Sequence, residues 1–539
     1  MDTGLPTWPL LCLLTLQARP VVAQDYNFID CATGGPVNIY GSRDLAAAPD
    51  GSLYVVGSFT SGTFSIAGQS ISTNAQDAVF LAKYSADLTL QWLMPVADNP
   101  NLISSTPTAT IDVDQDGNLI VGIGFRDTLR ILNEELTPAD GLGIVLMKLN
   151  ATGETLWWNE IEADRLGKQG VAIDPEGDIL LTGETTTGMF TAKYDPSGAL
   201  QWWTPSSGNA GSDLPWLVQS DDLGNVYTLG VLSAGGGVFG SLDVDFPAGC
   251  FNVGFLAKYD PSGDALWVRY VYSQTFAQYS VINTLICHGG NVFIGGEYSD
   301  SVLRFSHGDG NYGVQQAGST RSFLANYDEA GSLEWVKVNS YQTSGNDGAM
   351  SLAVNDNSLH TLFSFSGNVN HGFGPIIAEG SYDVLLEHSD LQGEPLAWFG
   401  LGGAALEVGN HIIHHAGHIY IIGATNGSSL TSPADCSVEV GSNMFILRFN
   451  DDAVGIPEPD RSQSIRISPN PTDGQFTVQV PSYVDRITIS DATGRIILQQ
   501  NIRWAVAGVQ MDLSDVAPGV YAVHINGAGP RSTTKIHVQ

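Results

Sequence analysis

Short apolar stretches alternate with polar turns along most of the chain, and one phrase of this pattern recurs. Residues 80–84 read Phe-Leu-Ala-Lys-Tyr, and after a turn they lead to a strand that contains Trp92. The positions equivalent to Lys83 in the later copies are Lys148, Lys193, Lys258, Asn326, Glu387 and Arg448. The tryptophans that follow the later copies are Trp157, Trp202, Trp267, Trp335 and Trp398. A strand begun by an Asp, Asn or Gly turn precedes each copy, and alternation of this kind predicts β-strands.

The spacing of the copies predicts how the strands are organised. Equivalent positions are 65, 45, 65, 68, 61 and 61 residues apart, and 45 residues is about the length of a four-stranded propeller blade. The longer units add roughly 15 to 20 residues between the second and third strands, as between Phe59 and Asp77. A lone four-stranded sheet cannot bury both faces, whereas seven sheets stacked around an axis can. The sequence therefore predicts an all-β fold with a seven-bladed β-propeller over residues 24–454; a β-solenoid is the alternative, although its periods are usually shorter.

The two ends of the repeat array predict how the ring closes. The seventh unit lacks the tryptophan-bearing fourth strand, and residues 26–31 stand at the matching distance ahead of the first unit. We expect this segment to complete the last blade, which would place Cys31 in the same blade as Cys436 and favour a disulfide between them. Cys250 and Cys287 lie in adjacent units and would form the second pair. Four cysteines allow three pairings, and the sequence leaves the choice open.

Charge and targeting narrow the classes of partner. The chain of 539 residues has a formal net charge of -34, which argues against binding nucleic acid, because an acidic surface repels phosphates. Solubility explains the charge, and recruitment of divalent cations is the sharper alternative. Residues 1–23 read as a signal peptide, with an apolar core over residues 10–16 before Ala23 but no basic residue ahead of it. No later stretch has the ~20 apolar residues that a transmembrane helix needs, so we predict none.

The repeat resembles a known architecture. The pattern from Gly57 through residues 77–84 to Trp92 resembles the seven-bladed β-propeller repeat of bacterial secreted proteins. Such propellers serve many roles, so the resemblance implies a fold and leaves the function open.

The end of the chain forms a separate domain by pattern. Residues 455–464 read as a Pro-containing polar linker, and short alternating strands over residues 465–539 predict a small immunoglobulin-like β-sandwich. The order of its turn residues resembles the C-terminal sorting domain of the type IX secretion system of Bacteroidota, through Pro469, Asn470, Pro471, Gly474, Asp491, Gly494, Gly519 and Tyr521. The resemblance implies that the type IX machinery carries the protein from the periplasm across the outer membrane and often removes the tag. The protein would then be secreted or held at the outer cell surface; an ordinary adhesion module is the alternative.

Two clusters of ligand-type residues are candidates for metal binding. Asp112, Asp114 and Asp116 alternate as in a calcium loop, but Ile123 stands where an EF-hand has its glutamate, so a plain hairpin turn is the competing interpretation. Imidazoles also cluster in the seventh unit, at His411, His414, His415 and His418. Although imidazole binds transition metals, neighbours on a strand point to opposite faces, which argues against a shared site. The sequence therefore predicts no cofactor other than calcium, for which Asp112, Asp114 and Asp116 are the candidate ligands.

Two hypotheses for function follow. The recurring tryptophans are expected to pack between blades, whereas Trp158 and Trp203 alternate to the other face and are better candidates for an exposed surface. No nucleophile elbow, phosphate loop or zinc-protease helix is found. We therefore expect a noncatalytic binding or scaffold protein whose inserted loops recognise a surface glycan or protein. The alternative is an extracellular glycan hydrolase or lyase with its site in the propeller channel, which converging ionisable side chains at the channel would favour.

Overall fold

A computed structural model describes most of the chain after residue 26. The described residues are 27–37, 43–99, 108–132, 134–139, 141–207, 213–232, 236–245, 250, 252–273, 280–299, 302–307, 310–315, 321–338, 349–371, 374–427, 443–451, 466–468, 470–479, 484–491, 495–501, 509–514, 516–527 and 532–539. The chain divides into two compact units after Asp451. The predicted signal peptide and the predicted linker at residues 455–464 both lie outside the described residues.

The first unit consists of strands joined by turns. Its earlier strands are β1 (Asn27–Gly35), β2 (Arg43–Ala47), β3 (Leu53–Ile66), β4 (Gln69–Tyr84), β5 (Leu90–Asn99), β6 (Thr108–Val113), β7 (Leu119–Arg126), β8 (Leu129–Ile131), β9 (Glu134–Leu136), β10 (Leu142–Leu149), β11 (Thr155–Ile161), β12 (Arg165–Ile173), β13 (Ile179–Thr185), β14 (Gly188–Tyr194), β15 (Leu200–Ser207), β16 (Leu214–Ser220), β17 (Val226–Leu232), β18 (Gly237–Phe239) and β19 (Leu242–Val244). Its later strands are β20 (Val253–Tyr259), β21 (Ala265–Ser273), β22 (Ser280–His288), β23 (Asn291–Tyr298), β24 (Val302–His307), β25 (Gly310–Gln315), β26 (Arg321–Asp328), β27 (Leu333–Val338), β28 (Ala349–Val354), β29 (Ser358–Phe365), β30 (Asn368–His371), β31 (Gly374–Ile377), β32 (Asp383–Asp390), β33 (Pro395–Leu401), β34 (Glu407–His415), β35 (His418–Thr425) and β36 (Asn443–Asn450).

Antiparallel pairing groups these strands into seven four-stranded blades. From the inside outwards the blades are β2-β3-β4-β5, β6-β7-β10-β11, β12-β13-β14-β15, β16-β17-β20-β21, β22-β23-β26-β27, β28-β29-β32-β33 and β34-β35-β36-β1. Each innermost strand contacts that of the next blade, and β34 contacts β2. The unit is therefore a closed β-propeller with seven blades.

The N-terminal strand closes the ring as the sequence predicts. β1 pairs antiparallel with β36, with Cys31 opposite Leu447 and Gly34 opposite Met444. The last blade thus takes three strands from the end of the propeller and its fourth from the beginning. Phe28 packs edge-on against Phe449 with ring centroids 5.7 Å apart, so this blade is joined by side chains as well as by backbone hydrogen bonds.

At several seams the recurring lysine or tryptophan joins one blade to the next. Trp157 Nε1 and Lys148 Nζ both donate to the Pro196 carbonyl of the following blade, over 3.2 and 3.5 Å. Trp267 Nε1 and Lys258 Nζ likewise share the Glu329 carbonyl, over 3.1 and 3.0 Å. The prediction that the recurring tryptophans pack between blades is confirmed for Trp157, Trp202, Trp267 and Trp335. Lys148 and Lys258 bond to the same carbonyls as their neighbouring tryptophans.

The second unit is a β-sandwich. Its strands are β37 (Arg466–Ser468), β38 (Gln475–Gln479), β39 (Val484–Ser490), β40 (Ile496–Asn501), β41 (Val509–Asp512), β42 (Gly519–Gly527) and β43 (Ser532–Val538). They form a three-stranded sheet, β37-β38-β41, and a four-stranded sheet, β40-β39-β42-β43. Phe476 and Met511 of the first sheet share one core with Ile489, Val523 and Ile536 of the second. Alternate residues of both sheets face this core, as the period-2 pattern of the sequence requires.

Candidate functional site

The innermost strands of all seven blades surround a central channel with a volume of about 290 Å³. Aliphatic side chains line most of it, including Ile286, Leu352 and Val354 of the fifth and sixth blades. Ionisable side chains gather on the opposite side, where Asp44, Asp112 and His411 come from the first, second and seventh blades. The other polar lining residues are Gln169, Gln219, His414 and His415.

Asp44 and His411 form a tight pair across two blades. The Asp44 Oδ1 atom lies 2.6 Å from His411 Nδ1. The other oxygen accepts hydrogen bonds from the Thr110 hydroxyl at 2.7 Å and from the Ile111 backbone N–H at 3.0 Å. Burial raises the pKa of Asp44, but the charge and hydrogen bond of His411 outweigh burial and leave the pKa below its ordinary value. Asp44 therefore holds the imidazole in a fixed orientation and joins three innermost strands.

Asp112 has a raised pKa, in contrast to Asp44 on the same channel. Burial raises the pKa of Asp112 to about 6, and the nearby charge of Asp44 acts in the same direction. Backbone N–H groups of Val113 and Ile173 each donate to the carboxylate over 2.8 Å and limit the rise. Because Ile173 belongs to the third blade, Asp112 links blades just as Asp44 does.

A second imidazole cluster lies between the sixth and seventh blades. Asp451 approaches His414 Nε2 at 2.7 Å and His360 Nε2 at 3.3 Å. His360 and His388 stack with ring centroids 5.0 Å apart, and both are almost fully buried. Burial lowers the pKa of His388 to about 4, with His360 acting in the same direction. Burial opposes ionisation of Asp451 as well, but His360 and His414 hold its pKa far below the ordinary value.

The predicted metal ligands are separated by these contacts. Asp112 faces the channel, Asp114 binds Lys148 Nζ at 2.8 Å, and Asp116 is exposed. Asp114 also accepts from the backbone N–H groups of Asp116 and Asn118, which is the plain hairpin turn. No group of three or more His, Cys, Asp or Glu side chains within the described ranges is arranged to hold a metal ion. The calcium-loop interpretation is therefore not supported.

The histidine cluster of the seventh unit is likewise divided among separate partners. His411 pairs with Asp44 and His414 with Asp451, while His418 Nδ1 lies 3.0 Å from the carbonyl of Ala416. His415 lines the channel. The sequence placed all four imidazoles in one strand pair, and the alternation of the strand sends them to different neighbours.

Two further predictions need correction. Cys250 and Cys287 are free, so they do not form the predicted second disulfide. Cys31 is disulfide-bonded, but Cys436 lies outside the described residues, and that pairing stays a prediction. Trp203 stacks on Phe190 with centroids 3.8 Å apart, and Trp158 packs against a blade core, so neither is the exposed aromatic that the alternation suggested.

The inserted segments form hairpins between the second and third strands, as the spacing predicts. They are the extended ends of β3 and β4, and the pairs β8-β9, β18-β19, β24-β25 and β30-β31. Four of these hairpins turn back and pair with the fourth strand of the preceding blade: β3 with β1, β8 with β5, β18 with β15, and β24 with β21. We call these four hairpins the clasps. Their pairing was not foreseen, because it joins two or three residues at a time across long separations in sequence.

The clasps also carry exposed apolar side chains. Leu132, Val238 and Tyr312 are 59%, 39% and 50% exposed, and Ile377 of the unclasped hairpin β30-β31 is 63% exposed. The connection between second and third strands leaves every blade at the same end, so these side chains belong to one face of the ring.

The sorting residues stabilise turns within the sandwich. Asn470 donates from Nδ2 to the Lys535 carbonyl at 2.9 Å and accepts from the His537 N–H at 3.0 Å, and the Asn470–Pro471 peptide is cis. Asp491 pairs with Arg495 at 3.0 Å, and the Tyr521 hydroxyl donates to the Ala517 carbonyl at 2.6 Å. A positive φ of 120° and a close approach to Ser514 require glycine at position 474, and Gly519 begins β42. Pro469 and Gly494 lie outside the described residues.

Comparison with known proteins identifies the second unit. Residues 466–539 match the family described as the secretion system C-terminal sorting domain. The chain thus carries a type IX sorting domain and is exported to the cell surface or secreted. Within the described residues, no helix has the length and apolar character to cross a membrane.

One curated relative is similar at low identity. An uncharacterized WD repeat-containing protein of Acanthamoeba polyphaga mimivirus is 22% identical over 275 residues, which cover 47% of this chain and 17% of the relative. The chain therefore spans well under two thirds of that relative's length.

Three solved structures are similar at low identity. A quinohemoprotein alcohol dehydrogenase from Comamonas testosteroni is 11% identical with a TM-score of 0.35, covering 79% of this chain and 77% of its own. An ulvan lyase is 10% identical with a TM-score of 0.38, over 75% and 93%. PorZ, a surface component of the type IX secretion system of Porphyromonas gingivalis, is 13% identical with a TM-score of 0.16, over 96% and 100%. At these scores none of the three supports an inference about activity.

Proposed function

We propose that this exported propeller is a noncatalytic binding protein that recognises a cell-surface protein or glycan with the face bearing its inserted hairpins. The observation that carries the proposal is the recurrence of an exposed apolar side chain on four different hairpins, at Leu132, Val238, Tyr312 and Ile377. Single exposed apolar residues are ordinary, but one on each of four inserted hairpins at the same end of the blades is consistent with a contact surface.

The clasps support this role because their pairing with a neighbouring blade holds their exposed side chains in place. Ile131, Phe239 and Phe305 on the inner side of three clasps are at most 1% exposed. Each clasp is also hydrogen-bonded to a neighbouring blade, so its conformation is fixed before any ligand arrives. A preorganised surface loses less entropy on binding than a flexible loop does.

The channel brings ionisable side chains together, which is the arrangement that favours the enzyme alternative, but the contacts of its carboxylates support a noncatalytic role. Its two carboxylates, Asp44 and Asp112, accept hydrogen bonds from backbone groups of their own and neighbouring blades. A catalytic carboxylate has to face a reacting atom, whereas these oxygens are engaged in holding strands together.

A fourfold serine variant tests the proposal. Leu132→Ser, Val238→Ser, Tyr312→Ser and Ile377→Ser together should abolish binding of the secreted protein to glycan arrays and to outer-membrane vesicles of a Bacteroidota host. The matched control replaces four exposed leucines elsewhere in the propeller, Leu200, Leu223, Leu266 and Leu396, which are 46–65% exposed. Equal binding by the two variants would contradict the proposal.

A second candidate function rests on the channel group. The His411–Asp44 pair beside Asp112, whose pKa is about 6, could serve as a base and an acid for cleavage of a glycan. Incubation of the secreted protein with a polysaccharide panel would reveal reducing ends or unsaturated products. If His411→Ala removes such an activity and the arrays show no binding, glycan cleavage and not surface binding is the function of the propeller.

A further inference from the structure

The outer edges of the blades differ in whether a clasp covers them. A fourth strand is the last of its sheet and leaves one row of backbone N–H and C=O groups unpaired unless something adds to it. The clasps cover this edge on β1, β5, β15 and β21. Each clasp comes from the insertion of the following blade, so the cover is part of the seam between two blades.

The four clasps share one register. An apolar clasp residue lies opposite the same blade position in each, in the pairs Gly34–Ile66, Ala97–Ile131, Ser206–Phe239 and Val271–Phe305. All four apolar residues are at most 2% exposed. The clasp sequences around them are Phe-Ser-Ile, Leu-Arg-Ile, Gly-Val-Phe and Leu-Arg-Phe. The blade edge is therefore a slot that accepts an extended strand with a large apolar residue at one place.

Charge accompanies this register. Arg130 lies opposite Asp98 in the second-blade clasp, with Arg130 Nη1 3.9 Å from Asp98 Oδ1. Arg304 occupies the same position in the fifth-blade clasp, opposite Tyr272. Two of the four clasps thus place an arginine one residue before the buried apolar side chain.

The second blade has the same edge without a clasp. The third blade is the 45-residue unit, and its second and third strands are joined by the tight turn from Thr185 to Gly188. Within the described residues, the fourth strand of the second blade, β11, pairs with β10 alone. By register from Lys148, Ile161 and Glu162 are the residues that correspond to Ala97 and Asp98. Glu162 is exposed, as is Glu160.

We propose that the outer edge of β11 accepts an extended segment of a separate protein by strand addition, and that this segment carries an apolar–basic–apolar sequence. Backbone hydrogen bonds along β11 would provide the affinity, as they do when a peptide adds to an open sheet edge. The occupant is defined by the four clasps that fill the same slot elsewhere in the ring. The exposed Glu162 selects a basic residue, as Asp98 does with Arg130. The open edge of β11 is the position that a clasp covers in other blades, so it lies beside the hairpin face. The inference rests on backbone pairing along β11 and does not depend on the proposed ligand of that face.

A clasp-derived peptide is the probe for this site. The peptide is residues 302–307, Val-Leu-Arg-Phe-Ser-His, with blocked ends and a fluorophore, titrated with the full secreted protein and followed by anisotropy. We expect saturable binding below about 1 mM, the weak range open to a short strand. Replacing Arg304 of the peptide with Glu, or Glu162 of the protein with Lys, should each weaken binding about fivefold, as expected for one exposed charge pair. Combining the two changes should restore it.

Two further measurements keep the inference falsifiable. Grafting the β24-β25 hairpin, residues 302–315, in place of Thr186 and Thr187 should fill the slot in cis and abolish peptide binding. A graft with Leu303→Ser and Phe305→Ser is its control and should leave binding intact. No saturable binding, or binding that is insensitive to both the charge reversal and the graft, overturns the proposal. A dimer of the secreted protein that Glu162→Lys dissociates would show that the occupant is a second copy, which also overturns it.

Discussion

The buried pair of Lys148 and Asp114 offers a direct test of what the repeated lysine does. The two side chains are each 8% exposed, and Nζ lies 2.8 Å from Oδ2. Replacing Lys148 with Met keeps most of the apolar stem but leaves the Asp114 carboxylate without its cation. Loss of one partner from a buried pair costs about 3–5 kcal/mol. Asp114 keeps its hydrogen bonds from Asn118 and Asp116, so we expect the lower end, about 3 kcal/mol.

A double-mutant cycle separates the pair from general disruption. Asp114→Asn should cost less than Lys148→Met, and the double variant should be more stable than the sum of the two changes, with a coupling of about 2 kcal/mol. Burial raises the pKa of Asp114, but Lys148 and Asn118 bring it below the ordinary value. The stabilisation is therefore complete above pH of about 4 and is lost as the pH falls through the lower folded-state pKa.

Urea unfolding of the secreted propeller, followed by tryptophan fluorescence at pH 7 and at pH 3, measures these free energies. A cost below about 1 kcal/mol for Lys148→Met would refute the argument, since such values are typical of exposed pairs. If Lys148→Met costs as much in the Asp114→Asn variant as in the wild type, the two side chains are not coupled, and the argument is refuted as well. Asp114 would then be free for another role, including the calcium role that its contacts oppose.

Three further predictions concern other parts of the molecule. Phe305→Ala should destabilise the propeller by about 3–5 kcal/mol, because it leaves a cavity in the core beneath a clasp. Tyr312 is the exposed cross-strand neighbour of Phe305, and Tyr312→Ala should change stability by no more than about 0.5 kcal/mol. Urea unfolding measures both free energies, and equal costs would contradict the packing role of the clasp. Burial raises the pKa of Glu407 to about 7. The folded state therefore keeps a proton that the unfolded chain loses at a pH of about 4.3. Because of this difference, the free energy of unfolding should fall by roughly 2–3 kcal/mol as the pH rises from about 5 to about 8. Glu407→Gln should remove this contribution and leave the smaller fall expected from Asp112, whose pKa burial raises to about 6. An unchanged slope would exclude Glu407 as its source. Deleting residues 466–539 should leave the folded propeller in the periplasm, as fractionation would show.

The parts of the fold that could be predicted are those that the sequence repeats. The Lys–Trp phrase marks the same strands in each unit, and the missing seventh tryptophan shows where the N-terminal strand belongs. Both inferences depend on period and register, which a single sequence contains. The structure adds that Lys148 and Trp157 donate to one carbonyl of the next blade. That shared acceptor explains why the two residue types recur together.

The parts that could not be predicted depend on single substitutions or on short pairings. His360 and His388 occupy positions that are apolar or aromatic in other blades. Nothing in the local sequence shows that His388 stacks on His360 or that His360 lies beside Asp451. The clasps pair through two or three residues of variable sequence, so their common register becomes visible only once the blades are aligned in space. Cys250 and Cys287 lie in adjacent units, but adjacency in the repeat does not bring two sulfur atoms to the short distance that a disulfide requires.

The differences between units therefore carry more functional information than the repeat itself. Four of the five described inserted hairpins close the preceding blade, and β30-β31 is the exception. Where the insertion is missing, in the third blade, no clasp from that blade covers the seam, and the edge of β11 has no paired strand within the part of the chain that the structure describes. Natural proteins rarely leave a strand edge open without charge or cover, and here Glu160 and Glu162 supply charge. Those acids discourage indiscriminate pairing but favour a basic strand, so the shortened unit gives the rim of the ring an edge that differs from the four clasped ones.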